Sequence, residues 1–160
     1  MSATRKGRPG RSGTTVAPGR GAPKLALLPG AGQEQASVKA DLVSGVAVVT
    51  IIGPLTTASL PDCRLAVASV LRHRPRFLVF DLCRTCADDA SLPALAQLRW
   101  YANHNGVTVL FAAMQPSLEA LMRESGVASP HELHPSVDLA LDAAVTASHR
   151  TPDRLGGAHR

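Results

Sequence analysis

Cys83-Arg84-Thr85-Cys86 is the tightest pairing of reactive side chains in this sequence. A CxxC directly after a strand is where a thioredoxin-like dithiol would sit. The helical signal begins only at Ser91, so the helix dipole that would depress a thiol pKa is displaced from both cysteines. Metal binding is the other chemistry open to these thiols, and a structural zinc site needs four ligands. His131 and His134 are spaced like half of such a site but equally like polar loop residues, and no second CxxC accompanies the first. The six His show no general-base arrangement, and neither a nucleophile elbow nor a phosphate-binding loop is present. The expectation is a protein that is not an enzyme and takes no metal or cofactor, with a CxxC thiol/redox or metal-binding protein as the alternative.

The elements that would position these residues follow from periodicity. Ser37 to Val43 is a short strand, Ser44-Gly45 a turn, and Val46 to Ile52 a β-branched run closed by Gly53-Pro54, which together predict an antiparallel hairpin. Leu60, Cys63, Val67, Val70 and Leu71 recur at three and four residues, predicting a helix capped by Thr57 or Ser59 and ended by Arg74-Pro75-Arg76. Phe77 to Leu82 is almost wholly apolar, the mark of a central strand. A second helix starts at Ser91 with Pro93 in its first turn and Leu92, Leu95, Leu98 and Ala102 inward, stopping at Asn105-Gly106. Val107 to Ala112 is another buried strand. A third helix is capped by Ser117, carries Leu118, Leu121 and Met122 with a Glu119–Arg123 pair, and closes at Gly126. An extended piece around Glu132 to His134 leads to a last helix capped by Ser136, with Val137, Ala140, Leu141 and Ala144 inward. The order β-β-α-β-α-β-α-β-α predicts an α/β sandwich, a mixed sheet with helices packed on it.

This order and the residues at its joints resemble the STAS domain of bacterial anti-sigma factor antagonists over roughly residues 37–147. Val46 to Leu55, ending Ile-Ile-Gly-Pro-Leu, is similar to the family's second strand and Gly-x-Leu turn, and Leu78-Val79-Phe80-Asp81-Leu82 to its third strand. Asn105 to Leu110, Met122 to Val127 and His134 to Leu141 resemble its later strand, helix-Gly and closing-helix elements. The resemblance implies a STAS-like fold and a binding module that docks on a cytoplasmic anti-sigma factor, often a serine kinase of the histidine-kinase-like ATPase type. It also implies a Ser at the start of the second helix whose phosphorylation breaks the complex. A helix N-terminus tolerates about two added negative charges, whereas a docked surface would not.

The chain departs from the family at that place. Where the family reads Asp-Ser-(Ser/Thr/Ala)-Gly-Leu, this sequence reads Asp88-Asp89-Ala90-Ser91-Leu92. Aligned on Leu92 and Leu95, the acceptor position is Asp89; counted from Asp81-Leu82, it is Ala90. Both registers stay open, and neither supplies a Ser. Thr56 stands where an Asp often follows the Gly-x-Leu turn. Three readings follow: Asp89 partially mimics a phosphate, Ser91 is a displaced acceptor, or phosphorylation control is lost and Asp88 and Asp89 only stabilise the helix end. The third is preferred. The expected contact surface comprises Thr56, Asp88, Asp89, Ser91, Leu92 and Trp100. Trp100 enters because it and Tyr101 are adjacent on one helix and cannot both face the core, and Arg84 and Arg99 could ring the same surface. A STAS-like interaction scaffold unrelated to sigma control is a further alternative.

Composition sets the frame around these residues. The 160-residue chain carries a formal charge of +5. Residues 1–40 hold +6 and 147–160 hold +2, so the middle, 41–146, is −3. Residues 1–36 are basic and rich in Gly, Pro and Arg without periodicity, predicting a disordered tail, as does 148–160. The basic charges are scattered without aromatics between them, so no specific nucleic acid is expected. No apolar run approaches the length of a transmembrane helix and no secretory h-region follows the basic start, so no membrane partner is expected. Three Cys make no disulfide framework and suit a cytoplasmic location.

Overall fold

A computed structural model describes residues 36–150. The tails expected over 1–36 and 148–160 lie outside it, except for Ala36, which is buried, and the last residues of the final helix. Nine elements follow one another: β1 (Ser37–Val43), β2 (Val46–Pro54), α1 (Leu60–Leu71), β3 (Phe77–Cys86), α2 (Leu92–His104), β4 (Thr108–Ala112), α3 (Pro116–Glu124), β5 (Leu133–His134) and α4 (Val137–Arg150). This is the expected β-β-α-β-α-β-α-β-α order. The strands form one mixed sheet in the order β1-β2-β3-β4-β5. β1 pairs antiparallel with β2, and the remaining neighbours are parallel.

The hairpin closes through Ser44 and Gly45, both at positive φ (52° and 81°). Two such residues make the two-residue turn whose twist matches that of the flanking strands. Because side chains alternate along a strand, β2 serves two cores. Ala47, Val49 and Ile51 join Leu78, Phe80, Leu82, Val109 and Phe111 under α1, α2 and α3, where Cys63, Val67, Leu95, Leu98 and Met122 are buried. Phe80 and Phe111 stack there with ring centroids 5.6 Å apart. On the opposite face Val46, Val48, Val79, Leu110 and Ala112 pack against Ala140 and Ala144 of α4.

Several boundaries differ from expectation for local reasons. β3 continues to Cys86 rather than ending at Leu82. A register shift between Asp81 and Arg84 lets it go on pairing with Ile52, Gly53 and Pro54, and the Thr85 hydroxyl donates to the Ile51 carbonyl at 2.8 Å. The apolar run stops at Leu82 because beyond it only Thr85 faces inward while Cys83, Arg84 and Cys86 are exposed. α2 proper begins at Leu92, one residue after the expected start, and is preceded by a 3₁₀ turn over Asp89–Ser91. α3 begins at Pro116 with no side-chain cap. α4 runs to Arg150, so its last three residues are helix rather than tail.

Candidate functional site

The C-terminal ends of β2 and β3 lie side by side, joined by a backbone hydrogen bond from Leu55 N to the Cys86 carbonyl (3.3 Å). The chain leaves β2 through Leu55–Ser59. Ser59 is buried, and its hydroxyl accepts from Thr56 N (3.0 Å) and donates to the Thr56 carbonyl (2.9 Å). Ser59 thus tightens the loop, rather than capping a free N–H inside α1. Thr56, Thr57 and Ala58 face solvent at its tip.

The second loop, from β3 to α2, is closed by its own side chains. The Asp88 carboxylate accepts from Ala90 N (3.0 Å), while the Ser91 hydroxyl accepts from Asp88 N (3.2 Å), a reciprocal capping box. Ser91 is 1% exposed, and its hydroxyl donates to the Leu55 carbonyl at 2.8 Å. One buried hydroxyl therefore ties the α2 N-terminus to the β2–α1 loop. Ser91 is the capping-box partner of Asp88 and makes no side-chain cap to α2.

The expected contact residues are thus distributed as follows. Thr56, Asp88, Asp89 and Ala90 are exposed at the two adjoining loops, Leu92 is half-buried against the core, and Ser91 is beneath them. Trp100 is 60% exposed and stacks on His104, with centroids 4.9 Å apart, whereas Tyr101 turns inward beneath the Arg64 guanidinium. Pro93, Gln97 and Trp100 are all exposed at three- and four-residue spacing, so they share the outward face of α2. Trp100 sits about 10 Å along the helix from Pro93, at 1.5 Å per residue.

Arg99 does not join this surface. Its guanidinium bonds Glu132 at 2.7 and 3.0 Å and the Val127 carbonyl at 2.6 Å, and Glu132 in turn accepts from Ser129 N. The pair fastens α2 to the chain leading into β5. Glu132, 8% exposed, was read from sequence only as part of an extended piece; a long-range ion pair leaves no spacing signal. Arg84 lies on β3 beside Ile52, exposed.

Cys83 and Cys86 are both exposed and lie within β3. Three residues of strand separate their Cα atoms by about 10 Å, beyond the roughly 7 Å that a disulfide spans. Partial burial and a hydrogen bond to Asp81 push the Cys83 thiol above its ordinary pKa, the opposite of what a reactive dithiol requires. Cys63 is fully buried and its thiol is pushed up to about 11, chiefly by burial. Burial lowers the His134 pKa. No three His, Cys, Asp or Glu side chains converge among the described residues, and no described helix is long and apolar enough to cross a membrane.

The STAS domain family model matches residues 37–140. Among solved structures, an anti-sigma factor antagonist from Mycobacterium paratuberculosis superposes with a TM-score of 0.60 at 22% identity, covering 71% of this chain and 97% of that one. The STAS domain of a SulP transporter from Vibrio cholerae gives 0.59 at 19% identity over 69% and 89% of the two chains. The phosphorylated form of the Bacillus cell fate determinant SpoIIAA gives 0.52 at 11% identity over 67% and 98%. At these identities the likeness is one of fold. No curated protein matches the sequence.

Proposed function

This chain belongs to the STAS domain family, and on that premise we propose that it is an anti-sigma factor antagonist, a non-enzymatic cytoplasmic module that binds an anti-sigma factor and thereby frees a sigma factor for transcription. The observation that carries the reading is the Ser91–Leu55 tie. It holds two loops in one fixed arrangement, with Thr56, Asp88, Asp89 and Ala90 exposed on them and the α2 face leading away to Trp100. A preorganised surface with an aromatic at one end suits protein docking, because little conformational freedom is left to lose on binding.

The same arrangement supports loss of phosphorylation control. Asp89 and Ala90 are exposed at the two candidate acceptor positions and carry no hydroxyl. The hydroxyl within this loop, Ser91, is buried and already bonded to Leu55 and Asp88. A kinase could phosphorylate it only after the loop opened, and a phosphate of nearly two charges would not fit back into that space. The partner we propose is an anti-sigma factor of the histidine-kinase-like ATPase type, bound but unable to release itself by modifying this site.

The test is capture of partners from the native cytoplasm by the full chain and by Asp89→Ser, followed by incubation of the recovered kinase with ATP. An anti-sigma factor should be recovered with both forms, and label should enter the Asp89→Ser protein if Asp89 is the acceptor position, or an Ala90→Ser protein if Ala90 is, but not the unaltered chain. Label on Ser91 of the unaltered chain overturns the loss of control. Recovery of no anti-sigma factor with either form overturns the reading itself in favour of a STAS-like scaffold outside sigma control.

A further inference from the structure

β1 is the outermost strand of the sheet, and among the described residues no strand pairs with its far side. The two-residue turn at Ser44-Gly45 fixes which of its backbone groups face that side. In such a hairpin the residues flanking the turn, Val43 and Val46, exchange both hydrogen bonds, and bonded pairs then alternate along the ladder. Asp41↔Val48, Lys39↔Thr50 and Ser37↔Ile52 are therefore bonded pairs, and Val38, Ala40 and Leu42 turn their N–H and C=O groups outward. Leu42 and Val43 are 42% and 41% exposed, unusual for aliphatic side chains beside a core.

The sequence of the strand, Ser37-Val38-Lys39-Ala40-Asp41-Leu42-Val43, is complementary to itself about Ala40. Laid antiparallel on a second copy with Ala40 opposite Ala40, its outward groups meet in three bonded pairs: Val38 with Leu42, Ala40 with Ala40, and Leu42 with Val38. The apolar residues then face one another on the side of α1. Lys39 falls opposite Asp41 twice, at the unbonded pairs where cross-strand side chains come closest. A lone Lys on an edge strand ordinarily guards against pairing. Here the Asp two residues further on gives that Lys a partner in one register, and a slip by one residue sets Val38, Ala40 and Leu42 against the wrong face. The flank of α1 turned away from α2, opposite Arg64, carries Asp62 and the small residues Ala66 and Ser69 at four- and three-residue spacing.

We infer that β1 is a homodimerisation edge, joining two five-stranded sheets across a two-fold axis through Ala40. The contact is isologous and closes on itself, so it yields dimers rather than filaments. It leaves the loops at Thr56 and Asp88–Leu92 free for another partner. A single strand pair buries little area, so the dissociation constant is expected on the order of tens of micromolar.

The experiment is sedimentation equilibrium of the full chain up to roughly 100 µM, where such a dimer is populated. The apparent mass of the unaltered protein should rise with concentration from 16.7 kDa to well above one and a half times that value. Ala40→Pro removes only an outward-facing N–H, which an edge strand tolerates, and should give monomer. Lys39→Asp and Asp41→Lys each place two like-charge pairs across the axis and should weaken association about tenfold or more. The double reversal, Lys39→Asp with Asp41→Lys, should restore it. A monomer at every concentration overturns the proposal, as does a dimer indifferent to the charge reversals or a double reversal that fails to recover. The charge series decides the matter even if Ala40→Pro fails to fold.

Discussion

Ser91→Ala is the sharpest test of the structural argument, because the hydroxyl has two different jobs. It donates to the carbonyl of Leu55, a residue 1% exposed, and it accepts from Asp88 N in an exposed loop. Removing it leaves the Leu55 carbonyl without a partner and little access to water, at a cost of about 1–3 kcal/mol. The Asp88 N–H can turn to water, so its loss amounts to that of a helix-end cap, about 1 kcal/mol. The expected destabilisation is about 2–3 kcal/mol, read as a fall of roughly 2 M in the urea midpoint at an m-value of about 1–1.5 kcal/mol/M. Asp88→Ala alone should cost about 1 kcal/mol, because its carboxylate bonds only Ala90 N and the Ser91 hydroxyl at an exposed turn. Since the two side chains bond one another, the double variant should be less destabilised than the sum by about 0.5–1 kcal/mol. A Ser91→Ala loss below about 0.5 kcal/mol at unchanged m would refute the reasoning, showing that the hydroxyl is free enough to serve as a phosphoacceptor.

Arg99→Ala should destabilise by about 3 kcal/mol in the same assay, because it strands the buried Glu132 carboxylate as well as the Val127 carbonyl; Arg99→Met with Glu132→Leu should recover much of that loss. Trp100→Ala should leave stability within about 0.5 kcal/mol, since the side chain is 60% exposed, yet weaken partner binding at least tenfold by calorimetry if the α2 face is the contact. The Cys63 thiol, raised from 9.0 to about 11 by burial, stabilises the fold fully below pH 9. As pH rises from 9 through 11 that contribution of about 3 kcal/mol is lost, so alkaline unfolding should shift upward in Cys63→Ala relative to its own stability at pH 7. Asp89→Asn should leave partner affinity unchanged if Asp89 only supports the helix end, whereas tightening by tenfold in a titration would establish it as a phosphate mimic.

Much of the fold was written in local periodicity. Val46 to Val49 is apolar on both faces, as a strand covered on both sides requires, and the three- and four-residue spacings of α1 and α2 fell on their buried sides. What local pattern could not show were contacts between distant residues. Arg99 looked like a surface cation because its partner lies 33 positions away. Cys83 to Cys86 falls outside the strand's apolar run because its inner residue, Thr85, is polar; its hydroxyl is satisfied by the Ile51 carbonyl of the neighbouring strand. The expected contact residues could be placed from sequence at the loops ending β2 and β3, but not in depth. Nothing in Asp-Asp-Ala-Ser-Leu distinguishes a buried Ser from an exposed one until the Leu55 carbonyl is placed beneath it.

On the proposed function, that carbonyl also lets a site without a phosphoacceptor keep its shape. A regulated helix N-terminus needs an exposed hydroxyl and a loop that tolerates a phosphate; a docking surface needs only that its loops stay fixed. In this chain the fixing hydroxyl and the exposed positions are separate residues: Ser91 inside, Asp89 and Ala90 outside. The outer positions are free to vary without disturbing the tie. A carboxylate at Asp89 lies beside the positive end of α2, where one negative charge is favourable by roughly 0.3–1 kcal/mol, so replacing a Ser there costs the fold nothing. The folded region's negative charge and the basic character of residues 1–40 are then separate features of the chain. The partner proposed above would meet two loops held in place from below, one of them carrying Asp88 and Asp89, with an aromatic side chain about 10 Å away along α2.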